Sequence, residues 1–344
     1  MSDGSRGGSV RTNVCLAVAL AALTTPAAAA ETWLHPVLPH SVVKAAPTPA
    51  RRGARPARPS AAAPVYPFPT AYSGESSLVE LTTGTRYPEP GTAVPAERID
   101  RSWVRLGAAR PMPLTGAKPA GASTRLEATW AGQGLATLGI LLHPEARTVE
   151  AEEFEAFLRE AGATAALEER SAKKETKKAA KTVAVESARA FAGIVEPRRS
   201  ASPVDPAAGL DEPLGLPLEI VALAPPLALR AGSPVSVAVF LDGRAAPGAA
   251  VRAFVPGKAE PSVHVADAQG HVALPLEQEG RLLLATAAVR RTAKADRARG
   301  EAWKKAEWEI QRSTLELLVL PKAPDPTPTP TPKGRRAAPK KKPG

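Results

Sequence analysis

Histidine is the main candidate for chemistry in this sequence, and two pairs of histidines stand out. His35 and His40 are five residues apart near the N-terminus. Two imidazoles at that spacing are candidate ligands for Ni²⁺, Co²⁺, Cu²⁺ or Zn²⁺. A metal site needs further ligands, and the sequence places no Asp, Glu or His cluster beside this pair. Ordinary surface histidines are the alternative interpretation, and no cofactor other than such a transition metal is predicted.

The second pair, His264 and His271, flanks the sequence Asp267-Ala-Gln-Gly270. If this segment is a strand, His264 shares a face with Ala266, and we expect both histidines to face solvent. Aspartate at the first position and glycine at the last are typical of a β-turn. A calcium loop would need several more oxygen ligands in the same short segment. The pattern therefore predicts a hairpin turn.

Motifs of common catalytic sites do not occur in the sequence. It has no His-Glu-x-x-His, no Gly-x-Ser-x-Gly and no P-loop sequence. Cys15 is the single cysteine and precedes the predicted mature chain, which excludes thiol catalysis and disulfides there. Trp303 and Trp308 are typical of packing on a β-sandwich, with a ligand platform as the alternative. We predict a non-enzymatic protein.

Residues 1–30 have the features of a secretory signal peptide. Arg6 and Arg11 precede an apolar run of ten residues, Val14–Leu23, and alanines at 28–30 form a cleavage site. Ten helical residues would span only about half of a ~30 Å bilayer core, so a retained anchor is the less favoured alternative. We predict an exported protein, periplasmic or extracellular, with no transmembrane segment after cleavage.

The net charge of +11 is concentrated in two segments of the 344-residue chain. Residues 41–64 contain five cationic side chains and no acid, and residues 322–344 contain seven and one acid. Prolines are frequent in both segments, which predicts disorder over 45–69 and 322–344. Because the remainder is nearly neutral, nucleic acid is not a predicted partner. An anionic cell-wall or membrane surface fits the basic segments.

Short apolar runs separated by turn residues predict a mainly β protein. Residues 31–195 form the predicted N-terminal β-rich domain, which has a short helical insertion at Thr148–Gly162 and Thr164–Lys181. A linker is predicted over 196–214. In 215–321 the apolar runs recur about every 8–12 residues between Gly, Pro and Asp turns, which predicts an Ig-like β-sandwich.

Seven short motifs follow one another along the chain. They are Glu31, Trp33 and Leu34; Gly84, Tyr87 and Pro88; Phe154, Phe157 and Leu158; Lys177, Lys178 and Lys181; Gly215–Val221; Asp242-Gly243; and Asp267 with Gly270. In this order they resemble a family of exported bacterial proteins of unassigned function, described as nickel-transport-associated or NikM-like. The resemblance covers about residues 31–44 and 75–320 and implies a C-terminal carboxypeptidase-regulatory-like, Ig-like domain.

The resemblance implies a non-enzymatic binding or accessory protein of the envelope. It further implies a link to Ni or Co uptake, with envelope transport components as partners. The histidine that the family carries near the mature N-terminus is Ala30 here, which weakens a direct metal role. The alternative is a structural or adhesion-type spacer whose basic segments contact an anionic cell-wall or membrane surface.

Overall fold

The computed structural model describes residues 30–37, 70–130, 132–195 and 212–322. Nearly all of the predicted signal peptide, the predicted Pro-rich insert, most of the predicted linker, the tail after Lys322 and His40 lie outside these residues. Within the described part, nineteen β-strands and two α-helices form a mainly β structure, which confirms the predicted fold class.

The strands that precede the predicted linker form the N-terminal part of the fold. They are β1 (Glu31–Val37), β2 (Thr70–Tyr72), β3 (Ser76–Gly84), β4 (Thr92–Ala93), β5 (Ile99–Leu106), β6 (Met112–Pro113), β7 (Thr115–Ala120), β8 (Ser123–Thr129), β9 (Gly134–Leu142), β10 (Glu145–Val149) and β11 (Ala180–Val195). The helices α1 (Ala151–Glu160) and α2 (Thr164–Ala172) lie between β10 and β11.

The strands that follow the predicted linker form the C-terminal part. They are β12 (Leu218–Ala222), β13 (Pro234–Leu241), β14 (Arg244–Ala245), β15 (Ala250–Phe254), β16 (Ser262–Val265), β17 (His271–Pro275), β18 (Gly280–Arg291) and β19 (Trp308–Val319).

The first core lies between two sheets. One has the strand order β1-β3-β8-β7, with β4 added to β3, and the other contributes β11, β9 and β5. Leu34, Val79 and Leu126 of the first sheet pack with Leu138 and Ala190 of the second. Buried and exposed side chains alternate along β3 and β8, so about every second side chain points toward this core. This is expected for a sheet with one solvated face.

The second core is that of the predicted Ig-like sandwich. Strands β12, β13 and β17 form one layer, and β16-β15-β18-β19 form the other. Val237, Val251, Leu284 and Leu315 pack together between the layers. Neighbouring strands within each layer are antiparallel, as in Ig-like folds.

The two sandwiches share one ten-stranded sheet, in which eight strands have the order β16-β15-β18-β19-β11-β9-β5-β6 and β10 and β2 also pair with β11. The connection is β11, a strand of sixteen residues. Its first half pairs in parallel with β19, where Thr182 lies beside Trp308, and its second half pairs antiparallel with β9. Backbone hydrogen bonds therefore run without interruption from one sandwich into the other.

The helical insertion is shorter than predicted. The first helix begins at Ala151 and not at Thr148, because Thr148 pairs with Lys181 in the β10–β11 ladder. The second helix ends at Ala172. Beyond it, the buried Arg170 guanidinium donates to the carbonyls of Glu175 and Lys178 at 2.7 and 2.9 Å and fixes a turn. Neither helix of the described residues has the length and apolar character of a membrane span.

Candidate functional site

The outer face of the second sandwich is where the rest of the described protein docks. Leu315 and Leu317 of β19 point into the sandwich core, so the alternating residues of this strand point outward. Helices α1 and α2 cover one end of the outer face, where Phe154 packs on Trp308 with ring centroids 5.8 Å apart. Strand β1 covers the other end.

Polar contacts hold β1 along β19. Arg312 Nη1 donates to the carbonyl of Ala30 at 2.8 Å, and Thr314 Oγ1 donates to the carbonyl of Thr32 at 2.5 Å. His35 Nδ1 lies 2.6 Å from Glu316 Oε1. The three outward residues of β19 therefore fix both the position and the register of β1 on the second sandwich.

His35, a predicted metal ligand, is half-buried and engaged with a carboxylate. The other oxygen of Glu316 accepts a hydrogen bond from Arg281 Nη2 at 2.8 Å, so a cationic group shares the same partner. Among the described residues, no group of three or more His, Cys, Asp or Glu side chains is arranged to hold a metal ion. Because His40 lies outside these residues, the two-histidine metal site stays a prediction.

The pKa of Glu316 reflects two opposing influences. Burial raises it, but the hydrogen bond from His35 and the charges of His35 and Arg281 outweigh burial and hold it below the ordinary value of 4.5. A carboxyl with a depressed pKa in the folded state stabilises the fold above its unfolded pKa, and this stabilisation is lost as the pH falls through the folded pKa.

Glu316→Gln is therefore expected to lower the free energy of unfolding at pH 7 and to have a smaller effect under acid conditions. The difference between wild type and variant should shrink as the pH falls below about 4.5, the ordinary glutamate value. Urea unfolding at a series of pH values between 7 and 2.5 measures it. A difference that does not change with pH would contradict the assigned role of Glu316.

A buried ion pair lies next to the start of β1. Glu31 contacts the Arg252 guanidinium, whose Nη1 is also 3.6 Å from Glu160 Oε2 of α1. Burial raises the pKa of Glu31, and the charges of Arg252 and Arg312 oppose that rise. The pair joins β1, α1 and β15 at one point, so three elements that are distant in sequence meet beside the outer face of the sandwich.

An aromatic cluster continues from this ion pair. Trp33 of β1 and Tyr87 of the loop 85–89 meet edge to face with ring centroids 5.5 Å apart, and both pack near Phe254 and Leu283. A Cβ atom at Gly84 would lie 3.0 Å from the Trp33 ring. The loop that carries Gly84, Tyr87 and Pro88 therefore packs against the second sandwich.

A groove of about 850 Å³ opens between the loop 85–89 and the hairpin that joins β15 to β16. Its lining residues are Thr85, Arg86, Tyr87, Glu89, Glu160, Arg252, Phe254, Val255, Gly257, Lys258, Ala259, Glu260, Pro261 and Val263. Tyr87 and Phe254 supply aromatic surface, while Arg86 and Glu260 expose opposite charges at the rim. The groove has the size of an ordinary ligand site.

Strand β16 borders the groove and departs from the sequence prediction. Val263 and Val265 are 57% and 65% exposed, while His264 is more buried than either valine. The register explains this, because Val263 pairs with Arg252 on the outer face, whereas His264 pairs with the core residue Val251. His264 was expected to face solvent; instead it is half-buried on the face that it shares with Val251.

Other predicted residues have structural roles. Asp267 Oδ1 accepts hydrogen bonds from the amides of Gln269 at 2.9 Å and His271 at 2.8 Å, which confirms a turn, and His271 is exposed. The predicted hairpin is wrong, because β16 pairs with β15 and β17 pairs with β13 in a different sheet. Trp303 and Trp308 are both buried. They pack inside the fold, as the commoner of the two interpretations of these tryptophans predicts.

The Gly215–Val221 motif carries a buried ion pair. Glu219 Oε1 accepts hydrogen bonds from Arg189 Nη1 of β11 at 2.8 Å and from the amide of Leu214 at 2.6 Å. Both charged side chains are 1% exposed. Burial raises the pKa of Glu219. The charge of Arg189 and the backbone hydrogen bonds lower it, but they do not outweigh burial. The motif thus anchors the entry of the second sandwich to the strand shared by both.

Comparison with known proteins gives one match to a family model. Residues 171–290 match a domain of unknown function, DUF4198. This stretch is about a third of the chain and includes β11, β15 and β16. No curated protein matches the sequence. Among solved structures, the chain is similar to the D0-D1 domain of Intimin, with 10% identity over 73% of this chain and 95% of that chain and a TM-score of 0.17.

Proposed function

We propose that this chain is an exported, non-enzymatic binding or accessory protein of the cell envelope, and that the groove beside β16 is its ligand site. The observation that carries the proposal is the groove itself, which lies where the first sandwich docks on the second. Ligand sites form preferentially at such junctions and combine apolar surface with a few polar groups.

The walls of the groove are held by contacts that do not involve a ligand. The loop 85–89 is fixed by the packing of Tyr87 on Trp33, and Arg252 at the base is fixed by Glu31 and Glu160. A site with walls held in this way loses little conformational entropy on binding. Preorganisation of this kind supports binding as the function of the groove.

Filling the groove is the direct test. Ala259 is an exposed lining residue, so Ala259→Trp should obstruct the groove without disturbing a core. Ala298→Trp, at an exposed position in the loop between β18 and β19, is the matched control. The immobilised full chain is incubated with solubilised envelope fractions, and captured components are compared. Components held by wild type and Ala298→Trp should be lost with Ala259→Trp; identical capture by all three would refute the proposal.

A link to Ni or Co uptake is the finer proposal, and it rests on the family resemblance. Calorimetric titration of the full chain with Ni²⁺ and Co²⁺ tests it, alongside a His35→Ala/His40→Ala variant. Stoichiometric binding that the double variant loses would support a metal role for these histidines. Heat no greater than in a buffer control would remove metal binding from the proposal and leave the groove as its basis.

The alternative is a spacer that contacts an anionic cell-wall or membrane surface through its basic segments. The uninterrupted ten-stranded sheet favours it, because a continuous ladder resists bending between the two sandwiches. Deletion of residues 323–344 should then weaken binding to anionic lipid vesicles, and rising salt should weaken binding of the intact chain. Binding that neither salt nor the deletion changes would exclude this alternative.

A further inference from the structure

We propose that β16 accepts an extended peptide segment of a partner protein as an additional antiparallel or parallel strand, with apolar side chains at alternate positions. This inference rests on the proposed function and deepens it, because it names the class of ligand for the groove and its border. The evidence is the backbone geometry of β16, the exposure of its valines and the contrast with the other sheet edges.

The backbone of β16 has one edge open for pairing. Among the described strands, β16 pairs with β15 alone. The amide of Ala266 donates to the carbonyl of Ala249 at 2.9 Å. In an antiparallel ladder the backbone groups of successive residues point alternately toward the partner strand and away from it. Since Ala266 points toward β15, the N–H and C=O groups of His264 also point toward β15. The N–H and C=O groups of Val263 and Val265 point to the open edge. The open backbone groups belong to the two residues with exposed apolar side chains.

Three other edges of the described sheets, β6, β1 and β7, carry features that oppose strand addition. The opposite end of the ten-stranded sheet is β6, which is two residues long and contains Pro113. The edges of the first sheet contain Pro36 in β1, and Lys118 and Pro119 in β7. Prolines, lysines and very short strands are the usual protections of sheet edges. The sequence of β16, Ser-Val-His-Val, contains no proline and no lysine.

An extended peptide fits this edge better than a second copy of the chain. Stable dimers bury about 20–30 residues on each side, whereas β16 offers four residues to a two-fold partner. A single strand, by contrast, can pair with β16 and also lie against the groove. Val263 belongs both to the open edge and to the groove lining, so the two surfaces are continuous.

The mode of recognition follows from these positions. The backbone groups of Val263 and Val265 bind the peptide main chain, which supplies sequence-independent affinity. Their side chains meet every second residue of the peptide on the outer face, where β-branched or aromatic residues pair best. Longer peptides reach the groove residues Tyr87 and Phe254, which adds selectivity.

The test selects peptides and then removes one backbone donor. Random twelve-residue peptides displayed on phage are panned against the immobilised full chain, and enriched peptides are synthesised. Val265→Pro removes an outward N–H group without removing a β15 ladder bond, and Val265→Thr is the control that keeps the N–H group and the β-branched shape. We expect enriched peptides with alternating apolar residues whose affinity falls at least about tenfold in Val265→Pro and changes little in Val265→Thr.

A second readout reports backbone pairing directly. Hydrogen exchange at residues 263 and 265 should slow when an enriched peptide binds. If Val265→Pro fails to fold, Val263→Lys with Val263→Thr as its control replaces it, since a lysine opposes strand addition at an edge.

Several results would overturn the inference. These are no enrichment over uncoated wells, equal affinity of enriched peptides for Val265→Pro and wild type, or slow exchange at 263 and 265 before any peptide is added. The last result would mean that a segment of this chain already occupies the edge. Sedimentation showing a dimer that Val265→Pro dissociates would assign the edge to a second copy. Envelope capture that Ala259→Trp abolishes and Val265→Pro leaves intact would overturn strand addition and leave the proposed function standing.

Discussion

Arg189→Met is expected to lower the free energy of unfolding by roughly 3–5 kcal/mol, because it leaves the Glu219 carboxylate buried without its ionic partner. Both side chains are 1% exposed and their charged groups are 2.8 Å apart. Glu219 also accepts the amide of Leu214, so it is held in place after the arginine is lost. Urea unfolding of the full chain measures the effect.

Two comparisons show whether burial is the cause. Arg125→Met removes a surface partner of Glu80, where the two side chains are 48% and 27% exposed, and should cost at most about 1 kcal/mol. Arg189→Met/Glu219→Leu removes both buried charges and should be less destabilising than the sum of its two single variants. An effect of Arg189→Met as small as that of Arg125→Met would show that the buried pair contributes little.

Trp33→Ala is the second change with a large expected effect, about 3–5 kcal/mol of unfolding free energy. Trp33 is fully buried between Tyr87, Leu283 and Phe254, and its removal leaves a cavity under the loop 85–89. Since that loop is one wall of the groove, the variant should also capture fewer groove-dependent envelope components at a temperature where it remains folded.

Trp33→Phe keeps an aromatic ring at this position and should lose clearly less stability than Trp33→Ala. Thermal unfolding of both variants and capture assays on the same preparations separate the two effects. Full capture by folded Trp33→Ala would show that the loop 85–89 does not depend on Trp33 for its position, which contradicts the role given to the aromatic cluster.

Local features of this structure were predictable because their causes are local. The turn at Asp267 depends on hydrogen bonds to amides within four residues, and the burial of Phe154 and Phe157 follows from helical spacing. The Ig-like sandwich likewise follows from apolar runs and turn residues. In each case the residues that signal the structure are also the residues that form it.

Features set by distant residues were not predictable in this way. The helix begins at Ala151 because Thr148 pairs with Lys181. The shared sheet depends on the parallel pairing of β11 with β19, two strands more than a hundred residues apart. Alternation within β16 does not reveal which of its faces is buried. The register with β15 decides that Val263 and Val265 project outward.

In the candidate site, too, some features were predictable from the sequence and others depend on residues distant along the chain. Two separate sequence motifs contain Trp33 and the pair Gly84 and Tyr87, and the structure brings these residues together at one wall of the groove. The opposite wall, from Arg252 to Val263, lies some 170 residues away along the chain. The alternating valines of β16 in this wall are equally typical of any half-buried strand, so the sequence did not indicate a site there.

Site-specific photo-crosslinking tests the central claim most directly, namely that an envelope ligand occupies the groove beside β16. A photoreactive residue is placed at Ala259 in the groove and, in a second variant, at Glu301, which is exposed in the loop between β18 and β19. Both are irradiated in intact cells that express the full chain. The account predicts a discrete adduct from position 259 that position 301 does not give. No adduct from position 259, or the same adducts from both positions, would contradict it.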